Sequence, residues 1–116
     1  MTVLAAVLLA LVAALHLGFL VLEMFLWTTP TGRSVFGTDR DFAQRTRALA
    51  ANQGLYNGFL VAGLVWGLVD DDQPVRIFFL GCVIVAGIFG AATVSRRILL
   101  VQALPAVLAL AAVLAA

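Results

Sequence analysis

A histidine and a glutamate stand seven residues apart in HLGFLVLEMFLW, residues 16–27, where every other side chain is apolar or absent. On a helix that spacing places His16 and Glu23 within roughly 20° of one face and about 10 Å apart along the axis. Trp27 falls on the same face. An ionisable group at membrane depth is costly and normally turns into a protein interior. Burial disfavours an ionised carboxyl, which suits Glu23 to acid or base work near neutral pH. Glu23 and His16 are therefore the candidate catalytic pair. His16 reads equally well as a proton carrier and as a hydrogen-bonded core histidine. Trp27 reads first as an anchor at a membrane boundary and then as a ligand contact.

A second polar group follows in NQGLYNGFL, residues 52–60. Asn52, Gln53, Tyr56 and Asn57 occupy a helical arc of about 140°, so they can share one interior face. Further on, Gln102 precedes Pro105 by three residues. That proline cannot donate to the carbonyl of Val101, which leaves a free acceptor and room for a kink. These five polar residues, with Trp27, are the expected ligand-binding set. Their bland reading is interhelical glue, since such hydrogen bonds contribute about 1 kcal/mol or less. No metal is expected, because one histidine and one glutamate two turns apart do not make a coordination sphere. No cofactor motif is present.

Composition says what must position these residues. The 116-residue chain is 64% hydrophobic and 11% charged, with a mean hydropathy of +1.12. A soluble domain of this size carries about twice that charge. An all-α integral membrane bundle is expected, as a single domain spanning residues 1–116. The formal charge is +1 and lysine is absent, so nothing points to nucleic acid. Cys82 is the lone cysteine and reads as a small apolar residue in a helix. The first apolar run lacks a basic leader and continues to Trp27, which argues against a cleaved signal peptide.

A hydrocarbon core of about 30 Å needs roughly 20 apolar residues per helix. Four transmembrane helices are expected, at about 2–27, 39–69, 75–94 and 98–114. Residues 28–37, TTPTGRSVFG, read as a loop. Thr38 with Asp41 three residues later resembles a capping box. Pro74 suits the first turn of the third helix. Arg33, Arg40, Arg45, Arg47, Arg96 and Arg97 flank the first and third connections, against Arg76 alone at the second. The positive-inside rule puts the arginine-rich connections in the cytoplasm and both termini on the non-cytoplasmic side. His16 and Asn57 then fall near mid-membrane. Glu23, Asn52, Gln53 and Gln102 fall nearer the cytoplasm, forming one polar site in that half of the bundle. Gly63 and Gly67 lie on the polar face of the second helix, with Gly54 and Gly58 on roughly the other; small-xxx-small spacing permits close packing or a homo-oligomer.

The whole chain resembles a family of small four-helix membrane proteins catalogued only as a domain of unknown function, number thirteen-oh-four. The residues that carry the likeness are His16 with Glu23, the runs NQGLYNGFL (52–60) and QALPA (102–106), and more weakly AGIFGA (86–91). The resemblance implies a four-helix bundle in the membrane and no assigned activity.

Three functions fit these residues. The first is a membrane-embedded site for a lipophilic small molecule, with isomerase- or hydratase-like proton transfer by Glu23 and His16. The second is an oligomeric proton or small-solute transporter with the same pair as relay. The third is an accessory subunit whose polar face is paired inside a larger membrane complex. The bilayer is the one partner common to all three, and a multi-pass place in a bacterial inner membrane or its equivalent is expected.

Overall fold

Alanine and leucine in long runs favour helix, and helices are the only regular structure here. A computed structural model describes residues 1–116. The order is α1 (Val3–Met24), α2 (Pro30–Phe36), α3 (Arg40–Arg45), α4 (Arg47–Val69) and α5 (Gln73–Thr93), then a π-helical turn (Leu99–Ala103) and α6 (Leu104–Ala115).

The stretch expected as a loop contains α2. Thr29 caps it, its hydroxyl accepting from the Gly32 N–H at 3.2 Å, and Pro30 begins the first turn. Gly37 closes the helix at φ 67°, a left-handed conformation that suits glycine. The threonine, proline and glycine that suggested a loop are thus the start and stop signals of a two-turn helix. The cap of α3 also differs from expectation. Asp39, not Thr38, accepts from the Phe42 N–H, at 2.7 Å. The helix expected over 39–69 breaks at Thr46, whose hydroxyl donates back to the Phe42 carbonyl at 2.7 Å. At the start of α5, Asp72 caps and Pro74 lies in the first turn.

The chain divides into two compact units, one of Met1–Leu15 with Leu60–Ala116 and one of His16–Phe59. The first is held by a core of small and branched side chains. Ala5, Leu9 and Val12 of α1 pack with Leu64 of α4, Leu80 and Val83 of α5, and Ala106, Ala109 and Val113 of α6. Spacings of three and four keep each set on one helix face. Glycines set the closest approaches. A Cβ on Gly87 would lie 2.9 Å from the backbone nitrogen of Ala103, inside the π turn. The turn itself reflects Pro105. With no N–H there, the helix cannot continue its regular ladder; the Leu104 N–H instead reaches Leu99, five residues back. Widening by one residue is a known way to absorb such a break.

The same unit buries Arg76, which is 2% exposed. Its Nε donates to the Gly67 carbonyl at 2.8 Å, one terminal nitrogen donates to Gln73 at 3.3 Å, and the other pairs with Asp71. Asp71 adopts φ 50°, a left-handed conformation that aspartate tolerates. The Arg76 hydrogen bond, and then its charge, hold the Asp71 carboxyl below the usual carboxylate range. Nearby, the side-chain amide of Gln73 donates to the Val113 carbonyl at 2.9 Å, joining the start of α5 to the end of α6.

In the second unit the end of α1 meets the first half of α4, and the segment after α1 packs on α2. Gly32 lies against the Leu26 carbonyl so closely that a Cβ could not be accommodated. Trp27 packs on Phe36 at 4.9 Å, and its indole N–H donates to the Thr46 hydroxyl at 3.0 Å.

Two helices, α1 and α5, are long and apolar enough to cross a membrane, and less than a third of each apolar stretch is buried. α4 is as long but is interrupted by Asn52, Gln53 and Asn57. The apolar run Leu99–Ala115 is shorter.

Two outcomes test this packing. Gly87→Ala must push the π turn away and lowers stability by about 1–3 kcal/mol. Gly81→Ala, on the same helix with nothing within 4 Å, is neutral or stabilising; thermal melts in detergent compare them. Asp71→Asn lowers the melting temperature by a few degrees at neutral pH. Because the folded pKa of Asp71 is depressed, its contribution is present above the unfolded value of about 3.9. The gap between the two proteins therefore closes as pH falls below that value.

Candidate functional site

Glu23 lies in the last turn of α1 and Asn57 in the middle of α4. The two helices run antiparallel here, with Gly58 against Leu20 and Gly54 against Met24 and Glu23. A Cβ on Gly54 would stand 2.5 Å from Met24 Cγ and 3.2 Å from Glu23 Cβ. That lets the helices close, and the Asn57 amide nitrogen donates to Glu23 Oε1 at 2.5 Å. Asn57 is 6% exposed and Glu23 is half-buried.

From the sequence, Asn57 belongs nearer His16 in level, and Glu23 nearer Asn52 and Gln53. The pairing with Asn57 follows from how helical side chains lean. Each tilts toward the N-terminus of its own helix. Glu23 therefore leans back along α1 and Asn57 back along α4. In an antiparallel pair those directions converge, across an axial offset of about 4.5 Å for the three residues from Gly54 to Asn57.

His16 is fully buried, its ring edge-on to Phe19 at 5.2 Å. About 10 Å of helix separates it from Glu23, far beyond the roughly 3 Å needed for direct proton transfer. Asn52, Gln53 and Tyr56 are exposed. Tyr56 stacks edge-to-face on Phe59 at 5.6 Å. The arc expected to line one interior face is thus split. α4 presents the Gly54 side to α1, and only Asn57, at the edge of the arc, reaches it. Gln102 is half-buried in the π turn of the other unit. Trp27 is half-buried and held by Thr46 and Phe36.

Chemically, Asn57 occupies one carboxyl oxygen of Glu23 as a donor in either protonation state. The second oxygen is left to carry or release a proton. No group of three or more histidine, cysteine, aspartate or glutamate side chains is close enough to hold a metal ion. Sequence reasoning placed Arg76 only as a topology marker and missed its burial. The signal was present: Gly67 and Asp71 precede it by nine and five residues, across the turn that Pro74 closes.

Comparison with known proteins adds a family. The family described as "Protein of unknown function (DUF1304)" matches residues 10–114. "Uncharacterized protein YpaA" of Lactococcus lactis subsp. lactis is 31% identical over 114 residues, covering 95% of this chain and 96% of that protein. No solved structure matches. On the extent of the match, the chain belongs to the DUF1304 family.

Proposed function

We propose that this is a multi-pass membrane protein whose Glu23–Asn57 pair forms a protonatable binding site for a lipophilic small molecule. The observation that carries this reading is the pair itself: a carboxyl inside an apolar helix, gripped at 2.5 Å by a buried amide. A carboxyl used only for packing is better replaced by an apolar residue, since burying it is costly. A carboxyl that exchanges a proton with a bound polar head, or donates one to it, cannot be so replaced.

The membrane reading rests on surface as well as composition. Val3, Leu4, Phe78, Val85, Phe89 and Leu100 are each more than 60% exposed, and patches of that kind on a soluble monomer would drive association. Four spans are α1, α4, α5 and the π turn with α6. With six arginines at the first and third connections against one at the second, both termini lie on the non-cytoplasmic side. Glu23 then sits in the cytoplasmic half. A transporter formed by self-association through glycine faces is the weaker alternative. Gly54, Gly58, Gly63, Gly67 and Gly87 are already covered by side chains or backbone of the same chain. His16, enclosed and remote from Glu23, serves here as a packed core residue.

Native mass spectrometry of gently extracted protein tests the site. Wild type retains a small molecule, and Glu23→Gln retains it at least tenfold less, equivalent to about 1.4 kcal/mol. Asn57→Leu behaves like Glu23→Gln while His16→Gln keeps the ligand. Equal retention by wild type and Glu23→Gln overturns the reading. Topology is tested in a Cys82→Ala background with single cysteines at Ser34 and Ala115. In intact cells an impermeant maleimide labels position 115 and spares position 34; the reverse pattern overturns the orientation.

A further inference from the structure

A cleft of about 410 Å³ lies within the His16–Phe59 unit, where the end of α1 meets the start of α4. Met24, Phe25 and Trp27 line it from one side and Ala48 and Ala51 from the other, with Arg47 and Thr28 as its polar residues. No acidic residue lines it. The two ion pairs of the chain are Arg45 with Asp41 and Arg76 with Asp71, so the Arg47 guanidinium is not committed to a carboxylate.

The walls are built, not incidental. Trp27 spends its indole N–H on Thr46 and packs on Phe36, which fixes the ring as an apolar wall. Ala48 and Ala51, three residues apart, fall on one face of α4, and their small size keeps the cleft open. A half-open cleft of mixed lining, with apolar side chains on its walls and one uncommitted cation, matches an amphiphile with an anionic head. Guanidinium is the side chain best shaped to take a phosphate, through two parallel N–H donors. The volume is within the range of small-ligand pockets, enough for a headgroup and the nearest chain carbons.

We propose that this cleft binds an anionic phospholipid, with Arg47 on the phosphodiester and the Met24–Phe25–Trp27 wall on the adjoining acyl chain. The proposal rests on the membrane reading above. It is a site separate from Glu23, which does not line the cleft.

The test titrates purified protein with phosphatidylglycerol or phosphatidylcholine and counts retained lipid by native mass spectrometry. Resistance of the chain to carbonate extraction is scored separately, so failure of the membrane reading is seen independently of lipid retention. Wild type is expected to keep phosphatidylglycerol in preference to phosphatidylcholine. Arg47→Gln lowers that retention about tenfold, equivalent to about 1.4 kcal/mol. Ala51→Phe, or Ala48→Leu where the first variant melts early, lowers it similarly by filling the cleft with the charge intact. Arg40→Gln, an exposed arginine outside the cleft, leaves it unchanged. Equal loss in Arg40→Gln and Arg47→Gln would mean diffuse attraction and overturn the proposal. Wild-type retention in both cleft-filling variants would do the same, as would full displacement by millimolar inorganic phosphate, which marks a free-anion site.

Discussion

The absence of a side chain at residue 54 is the constraint on which the site depends. A Cβ there would push Met24 aside and make Glu23 give by a few tenths of an ångström at the base of the side chain that accepts from Asn57. An apolar environment makes any weakening of that hydrogen bond serious. A carboxyl held away from water without a donor is far costlier than one hydrogen-bonded. The helix contact and the polar pair support each other: the glycine sets the spacing, and the amide makes the half-buried carboxyl tolerable.

The other unit uses the same logic with different residues. Gly87 admits the backbone of the π turn, and the π turn exists because Pro105 interrupts the ladder. Alanines 106 and 109 then continue the close packing into the core. Arg76 is the exception to an otherwise apolar interior. Its burial is tolerable because Gly67, Gln73 and Asp71 all accept from it, so the charge has hydrogen-bonding partners on several sides. Its bonds tie together the end of α4, the α4–α5 turn and the start of α5.

The candidate site residues Glu23, Asn57, His16, Asn52, Gln53 and Tyr56 fall into three settings. Glu23 and Asn57 face each other; His16 is enclosed; Asn52, Gln53 and Tyr56 look outward. Those last three lie in the first half of α4, which follows the arginine-bearing α3. The cleft lined by Trp27, Arg47 and Ala51 is at the same end of α4.

Composition by itself pointed to the all-α class, because long alanine- and leucine-rich runs strongly favour helix, and it marked Glu23 as the residue hardest to explain by packing. The runs at 52–60 and 102–106 carried the resemblance to the family that the match over residues 10–114 shows. Turn chemistry was misread at 28–37, since threonine, proline and glycine serve loops and helix ends alike, and only the hydrogen bonds of Thr29 distinguish them. Partner choice was decided by tertiary structure. A periodic arc of four polar residues on α4 does not reveal which edge meets another helix. The placement of Gly54 against α1 decided it, selecting Asn57 and leaving Asn52, Gln53 and Tyr56 outside. The burial of Arg76 was equally undetermined by its type, because an arginine next to three aspartates at a turn reads as solvated until the helices on either side fold back and enclose it.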